Sequence, residues 1–545
     1  MDSLRHRIAH LILSRPGLFL LFSCGLVLAL APGLSWLIMD FGIRIWLSQD
    51  HALMAPLDRF EKNFGNDEAV VVAVSDTNGL FTPRTIQLIQ DLTDHLERID
   101  DVQRVDSLTN HQMVYGSEEA ITVEVFIPEA QDLGPSQLAA KRAKALQDEV
   151  MVGYLLDPHA RTTLLYAWLQ PSLERDPNYR QIVHDVRQSL APYQDWPGLT
   201  LHITGAGALN DAFRSASEKD VTIVFPLLAG VICLILWGLY RRLTVVALPL
   251  LLIFMTNLII FGLLGYAGIA LNNMLSVIPL IIVAIAIADS IHVINDMARH
   301  TRDGLGREPA LRRAAEDNLL PTALTSVTTA IGFTGLLSTP IVPIQQLALT
   351  AALASLMAWA LTFTFVVPLL RLLPIGWTTA PPKPHRGDRF DRFLQGYSRF
   401  LEAYRYRILI AGLLVAVAGV YVTAQVRIDS EPNAYFADNV PIKRANDFVN
   451  REIGGFNGPE IVLDSGSPGG AKEPAFLRKV EVLETWIDSH PYVNQTISIV
   501  DILKSVHRAF HADDPQFYAL ASSPDVIAQE LFVYSMGLSE GRSLD

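Results

Sequence analysis

Charge is scarce in this 545-residue chain. Asp, Glu, Lys and Arg make up 18% of it, against about 25% in a soluble globular protein. Hydrophobic residues make up 50%, and the mean hydropathy is +0.28. That balance excludes an ordinary soluble enzyme and a disordered chain. Cysteine is nearly absent. Cys24 and Cys233 both sit in apolar runs, so neither a disulfide framework nor a zinc site can be built from them. No Walker motif occurs. Residues 465–470 are rich in Ser, Gly and Pro but lack a following Lys-Ser pair, so they form no nucleotide cradle. An excess of positive charge is also missing: the net charge is −13, which argues against a nucleic-acid partner. Any work done by the protein must draw on an ion gradient or a partner.

What the chain has is long apolar runs. A spanning helix needs ~20 apolar residues. Seven stretches qualify: 17–39, 221–240, 243–264, 275–293, 322–338, 344–370 and 408–424. The fifth is short and threonine-rich, which suits an interior helix better than a lipid-facing one. The first follows Arg5, Arg7 and Arg15, and Ala29-Leu30-Ala31 resembles a signal-peptidase site. The run is longer than a signal peptide's usual ~7–15 apolar residues, and Pro32 would follow the cut, so an uncleaved span is expected. Orientation follows from short-loop charge. Arg241 and Arg242 separate spans two and three. Arg299, Arg302, Arg307, Arg312 and Arg313 lie between four and five. Arg371, Lys383, Arg386, Arg389, Arg392, Arg399, Arg405 and Arg407 lie between six and seven. Residues 266–274 and 339–343 carry neither Lys nor Arg. The amino terminus is expected inside and the segments after spans one and seven outside.

The expected organisation is therefore an amino terminus and first span (1–39), an outside domain (40–220), a five-span bundle (221–370), a cytoplasmic linker (371–407), a seventh span (408–425) and a second outside domain (426–545). Residues 40–220 hold 28 acidic and 15 basic side chains, so the acidity belongs to that domain. Its pattern is α/β. Strands are expected at 68–74, 102–108, 121–127, 161–170 and 199–204, and helices at 82–99, 135–151 and 179–191.

The segment after span seven repeats this order. Arg44-Ile45 recurs as Arg427-Ile428, Phe60 as Phe448 and Val102 as Val493, with an expected strand at 460–463 and helix at 475–489. Two α/β domains can share an order by chance; the matching distance from a preceding span makes a true repeat the better reading. A repeat of span one should be followed by five more spans, as in transporters built from parallel repeats. The expectation is a chain truncated at its carboxy terminus, or one that pairs with a second polypeptide or a second copy.

Asp289 is the one carboxylate deep within an apolar span. An ionised Asp at a helix centre costs ~2.5–3.5 kcal/mol on insertion scales, so its charge state responds to its surroundings. Such a group can take a proton from one side and release it to the other. Ser290 is adjacent, and His292 lies three residues on. On span five, Thr322, Ser326 and Thr329 form a polar stripe, with Thr325 beside it. These are the expected supporting network of a proton relay at Asp289. The bland alternative is an Asp that ties two helices together. Asn257 is expected to bond between helices, and Gly230, Gly262 and Gly265 to permit close packing. No metal, cofactor or substrate-binding residue can be assigned.

Three stretches carry a resemblance. Span four reads Ile285-Ala286-Ile287-Ala288-Asp289-Ser290-Ile291-His292. Span five reads Thr325-Ser326-Val327-Thr328-Thr329-Ala330-Ile331-Gly332-Phe333. The outside domain opens with Phe64-Gly65-Asn66-Asp67-Glu68 before Val70-Val71-Val72. Together with the layout, they resemble the resistance-nodulation-division (RND) superfamily, nearest its predicted-exporter and hopanoid-exporter branch, related to the mycobacterial large membrane proteins (MMPL) and Patched-like proteins. Ala288 stands where many relatives carry a second acid, and Ala284 where glycine is common. The resemblance implies an α-helical membrane protein with α/β extracytoplasmic domains, seven spans present of twelve. It also implies proton-driven export of a hydrophobic or amphiphilic molecule, a lipid above all, from a bacterial inner membrane. It needs no cofactor beyond the proton gradient. Two other readings stand beside it: a lipid or sterol sensor that keeps the spans and does not pump, and a protein-export auxiliary of the related SecD/SecF type, whose outside domains are differently arranged.

Overall fold

The computed structural model describes residues 2–48, 50–117, 121–171, 177–373, 389–426 and 431–538. Lys383, Arg386, Arg427 and Ile428 lie outside them, so that part of the loop charge and of the repeat has no structural account. The chain divides into two compact units. One holds residues 1–49 and 214–430; the other holds 50–213 and 431–545. The first and second outside segments thus share a unit.

In that α/β unit, β1 (Ala69–Asp76), β2 (Val102–Asp106), β5 (Thr162–Leu169) and β6 (Leu199–Thr204) form an antiparallel sheet in the order β2-β5-β1-β6. β1 is central, with Val72 opposite Leu165 on β5 and Ile203 on β6. The expected β-α-β unit is therefore split: β5 sits between β1 and β2. A separate hairpin of β3 (Gln112–Gly116) and β4 (Ile121–Val125) includes a strand, β3, that periodicity does not reveal.

β1 reads as a continuous apolar run because both of its faces are covered. Val70, Val72 and Val74 pack against helices Pro83–Leu96 and Tyr179–Leu190. Val71 and Ala73 join Leu164, Tyr166, Val449 and Ile453, the last two from helix Pro441–Glu452 and its end. Helix Pro83–Leu96 starts where Thr82 accepts from the Thr85 amide at 3.2 Å and Pro83 occupies the first turn. In the second segment, helix Pro474–Asp488 forms close to the expected bounds. The expected strand at 460–463 does not: Ile461, Val462 and Leu463 are exposed, and none of those residues belongs to a sheet. Apolar alternation alone does not make a strand without a neighbour to bond.

Among the described residues, the membrane unit contains seven helices long and apolar enough to cross a bilayer: Pro16–Trp36, Ala206–Gly238, Leu243–Tyr266, Leu275–Arg302, Arg307–Ser338, Val342–Leu372 and Gln395–Thr423. The second belongs to this unit from Arg214 on. Spans three to six form the core, with Leu252, Ile259, Ala286, Val293, Ala314, Ala358 and Val366 in one buried cluster. A short helix, Asp2–Ser14, adds Ala9, Ile12 and Leu13 to it. By contrast, no described residue of span seven is buried.

Two glycines act as the sequence suggests. A Cβ at Gly262 would collide with the Leu30 carbonyl, and one at Gly265 with the Gly33 carbonyl, so spans one and three meet backbone to backbone. Gly230 does not: nothing lies within 4 Å of its missing Cβ. Asn257 also differs from expectation. Its amide donates to the Ile253 carbonyl of its own helix at 2.8 Å. Arg307 leaves the loop to cap span six, donating to the carbonyls of Leu370 (2.9 Å), Arg371 (3.1 Å) and Leu373.

Candidate functional site

The fourth span carries Asp289 where its helix is packed between spans three, five and six. Asp289 is 3% exposed and Ser290 is fully buried. Ser290 Oγ donates to the Ala286 carbonyl at 2.7 Å, a bond within its own helix. Asp289 Oδ2 is enclosed and has no hydrogen-bond partner among the described residues. His292, expected beside Asp289, is exposed instead. Three residues along a helix is a turn short by 60° at 3.6 residues per turn. That rotation carries the imidazole off the buried face.

On the fifth span the stripe divides in the same way. Thr322 and Ser326, four residues apart, are buried, and Thr329 is half-buried. Thr325 is exposed and donates to the Pro321 carbonyl at 3.0 Å, so it does not face Asp289. Thr322 Oγ1 donates to the Asn318 carbonyl at 2.7 Å. Ser326 is 1% exposed, and its Oγ has no partner among the described residues. From span six, the buried Ser355 donates to the Ser326 carbonyl at 3.2 Å.

The level of these groups follows from one contact. Spans four and five form an antiparallel pair joined by a short turn, and Asn318 Nδ2 donates to Asp296 Oδ2 at 2.7 Å. Asp289 lies seven residues from Asp296, about 10.5 Å along the axis; Ser326 lies eight from Asn318, about 12 Å. Asp289 and Ser326 are therefore level. Two enclosed polar atoms without partners, on adjacent helices at one height, are an arrangement that a folded core normally avoids.

Sequence reasoning missed a second group of polar residues at the carboxyl-terminal end of span four. Arg299 pairs with Asp296 at 3.0 Å, His300 with Asp317 at 3.1 Å, and His6 of the first helix with Glu316 at 2.8 Å. The signal was present. Asp296 is seven residues from Asp289, and Asn318 extends the Thr322–Ser326 spacing by one more turn. Among the described residues, no group of three or more His, Cys, Asp or Glu could hold a metal ion.

The α/β unit contains a cleft of about 420 Å³. Its aromatic wall is a stack: Tyr154 lies 4.7 Å from Tyr166, and Tyr166 5.7 Å from Trp168, centre to centre. Trp168 Nε1 donates to Asp106 at 2.7 Å. Phe456, Glu460 and Asn494 line the other side. Burial, then the nearby Asp67, pushes the Glu460 carboxyl above its ordinary range.

A sequence model of the MMPL family matches residues 46–401. The chain belongs to the MMPL family. The match takes in nearly all of the first α/β segment and spans two to six, and so includes Asp289, Ser326, Asp296 and Asn318, though not His6. Membership makes the protein a multi-pass membrane protein of a transporter family. No curated protein matches the chain.

Proposed function

We propose that this MMPL-family protein is a secondary active transporter that uses the proton gradient to export a hydrophobic or amphiphilic molecule, a lipid, from a bacterial inner membrane. The observation that carries the reading is Asp289: a carboxylate 3% exposed inside a membrane span, with one oxygen unpartnered, level with the unpartnered Ser326 hydroxyl. Protonated, Asp289 can donate to a hydroxyl on span five. Ionised, it needs a donor such as Ser326 or water. The two states favour different packing of spans four and five, which is the differential interaction that coupling requires. A membrane potential supplies ~2.3 kcal/mol per charge per 100 mV, enough to bias such a pair of states.

In this reading the amino terminus is cytoplasmic and the α/β unit lies outside. Its aromatic cleft takes the apolar part of the substrate against Tyr166 and Trp168, with Glu460 and Asn494 toward the polar part. The working transporter includes a second polypeptide or a second copy that covers the exposed seventh span.

Inverted membrane vesicles carrying the protein should take up a fluorescent amphiphile when a pH gradient is imposed and stop when a protonophore collapses it. Uptake indifferent to the protonophore would contradict proton coupling, and no uptake with or without the gradient would favour a sensor or scaffold. Orientation is tested by cysteine labelling with an impermeant reagent. Asp195→Cys should label from outside, and Arg302→Cys only after permeabilisation; both positions are exposed. Tyr154, in its aromatic stack, and Arg307, capping span six, would be poor reporters.

A further inference from the structure

A relay at Asp289 needs a way out to water, and the polar residues between Asp289 and the end of span four supply one. The two carboxylates of that helix face, Asp289 and Asp296, are two turns apart, about 10.5 Å. On span four itself the gap is closed by Val293, which is fully buried and apolar. On span five the gap is bridged. Ser326, Thr322 and Asn318 are all buried and follow one another at four-residue intervals. Thr322 Oγ1 gives its proton to the Asn318 carbonyl but keeps free lone pairs. Asn318 Nδ2 reaches Asp296 at 2.7 Å and also holds the Ala314 carbonyl at 2.9 Å, which fixes the amide in place. About four links of ~2.8 Å, hydroxyls and waters together, cover the distance.

We infer that Asp296 is the inner terminus of this path: it exchanges protons with Asp289 along the Ser326–Thr322–Asn318 edge of span five, and passes them to water. The inference rests on the proposed protonation of Asp289. The step balances simply. When Asp289 gives up its proton, the Asp296 carboxylate accepts one at the other end of the chain and later releases it to water, with no other bond made or broken.

The surroundings suit a group that must hold and release charge. Arg299 faces Asp296 Oδ1 at 3.0 Å. The neighbouring carboxylates are already engaged: Asp317 pairs with His300 at 3.1 Å and with Arg313 at 3.5 Å, and Glu316 with His6 at 2.8 Å. From the second span Tyr240 donates to Asn295 at 2.7 Å, beside Asp296 rather than onto it. Asp296 is the member of this collar that touches the buried stripe. It is also partly open to solvent, with a side chain 24% exposed, as an exit requires. Asn318 touches no transferred atom in this scheme; it is a positioning residue.

The test follows the protonated-carboxyl band of the chain in phosphatidylcholine nanodiscs by infrared difference spectroscopy after a rapid acid step. Asp289→Asn should remove the band assigned to Asp289. Asp296→Asn should leave its amplitude intact and slow its rise by about tenfold or more. Asp296→Glu should restore the rate, and Asn318→Leu should slow it with the amplitude again intact. A rise unchanged in Asp296→Asn, with the Asp289 band present, overturns the inference and leaves the relay standing. A band that does not depend on Asp289 in the first place overturns the relay itself, and this inference with it. If Asp296→Asn loses the fold by thermal melting, the Asp296→Glu and Asn318→Leu rates decide between the outcomes.

Discussion

Two buried polar clusters, one in each unit, are bonded in opposite ways. The one beneath the sheet of the α/β unit closes on itself. Thr93 donates to the Ile89 carbonyl at 2.7 Å and meets Ser107 at 2.9 Å, while Ser107 lies 3.0 Å from Thr109. Asp76 accepts from Thr85 Oγ1 at 2.7 Å and from the Asn78 amide at 2.8 Å. Each such group fixes a turn or a helix on the sheet. In the membrane unit Asp289 Oδ2 and Ser326 Oγ are equally enclosed and have no partner among the described residues. An unmade hydrogen bond on a buried group costs about 1–3 kcal/mol. We propose that the two at one level serve the proton relay, whereas the satisfied set is accounted for by stability alone.

That contrast can be broken by moving a carboxylate. Val72→Asp places an acid in the fully covered centre of β1, between β5 and β6. It should cost about 4 kcal/mol or more and unfold the α/β unit, read by limited proteolysis. Asp289→Leu in the membrane unit should leave the helices as stable as before or more so, since a buried charge is exchanged for an apolar side chain.

Backbone contact provides the next largest effect. Gly262→Ala drives a methyl into the Leu30 carbonyl and should lower the stability of the membrane unit by about 1–3 kcal/mol. Gly230→Ala meets open space and should be neutral or gain up to about 1 kcal/mol from helix propensity. Thermal melting in detergent separates the two, and equal effects would mean that spans one and three do not pack as described.

The hydroxyls sharpen the comparison directly. Thr93→Val keeps shape but removes the hydroxyl that links the Ile89 carbonyl to Ser107, at about 1–2 kcal/mol by chemical denaturation. Ser326→Ala removes a hydroxyl that has no partner among the described residues, and should change stability by less than about 0.5 kcal/mol while altering the pH dependence of transport. A large stability loss in Ser326→Ala would show that its hydroxyl is bonded in the membrane.

The smallest effect concerns acid strength in the α/β unit. Burial raises the Glu484 carboxyl above its usual range, against the opposing hydrogen bond from Ser498. A carboxyl whose folded pKa is raised adds stability that is complete below its unfolded pKa, near ~4.3, and is lost as pH rises through the folded value. Glu484→Gln should therefore raise the denaturation midpoint at pH 8 and not at pH 4. The reverse dependence would mean that the ionised form is the one the fold prefers.

Much of this was legible in the sequence. The seven apolar runs each lie within or overlap a helix long and apolar enough to span, because hydrophobic length is a one-dimensional property. β6 occupies the expected residues 199–204, and β1 and β5 lie within a residue or two of theirs. Residues 460–463 show the limit: their composition matches β1, but a strand is defined by its neighbours, and no sheet partner flanks them among the described residues. At the candidate site, residue type pointed to Asp289, Thr322 and Ser326, while one-residue differences in helical phase decided the rest. His292 and Thr325 fall on the exposed side. Asp296 and Asn318 went unnoticed because both lie nearer the charged helix ends, where an Asp or Asn reads as ordinary solvent-facing polarity.

The central claim is that Asp289 is retained for its proton and not for packing. Amphiphile flux in inverted vesicles, measured across a series of pH gradients, compares the wild type with Asp289→Asn, which keeps shape and hydrogen bonding but cannot titrate. The account predicts normal expression and folding of the variant and at least tenfold less flux at every gradient, with partial recovery in Asp289→Glu. Wild-type flux with wild-type pH dependence in Asp289→Asn would contradict it, and would make Asp289 a residue that holds helices together.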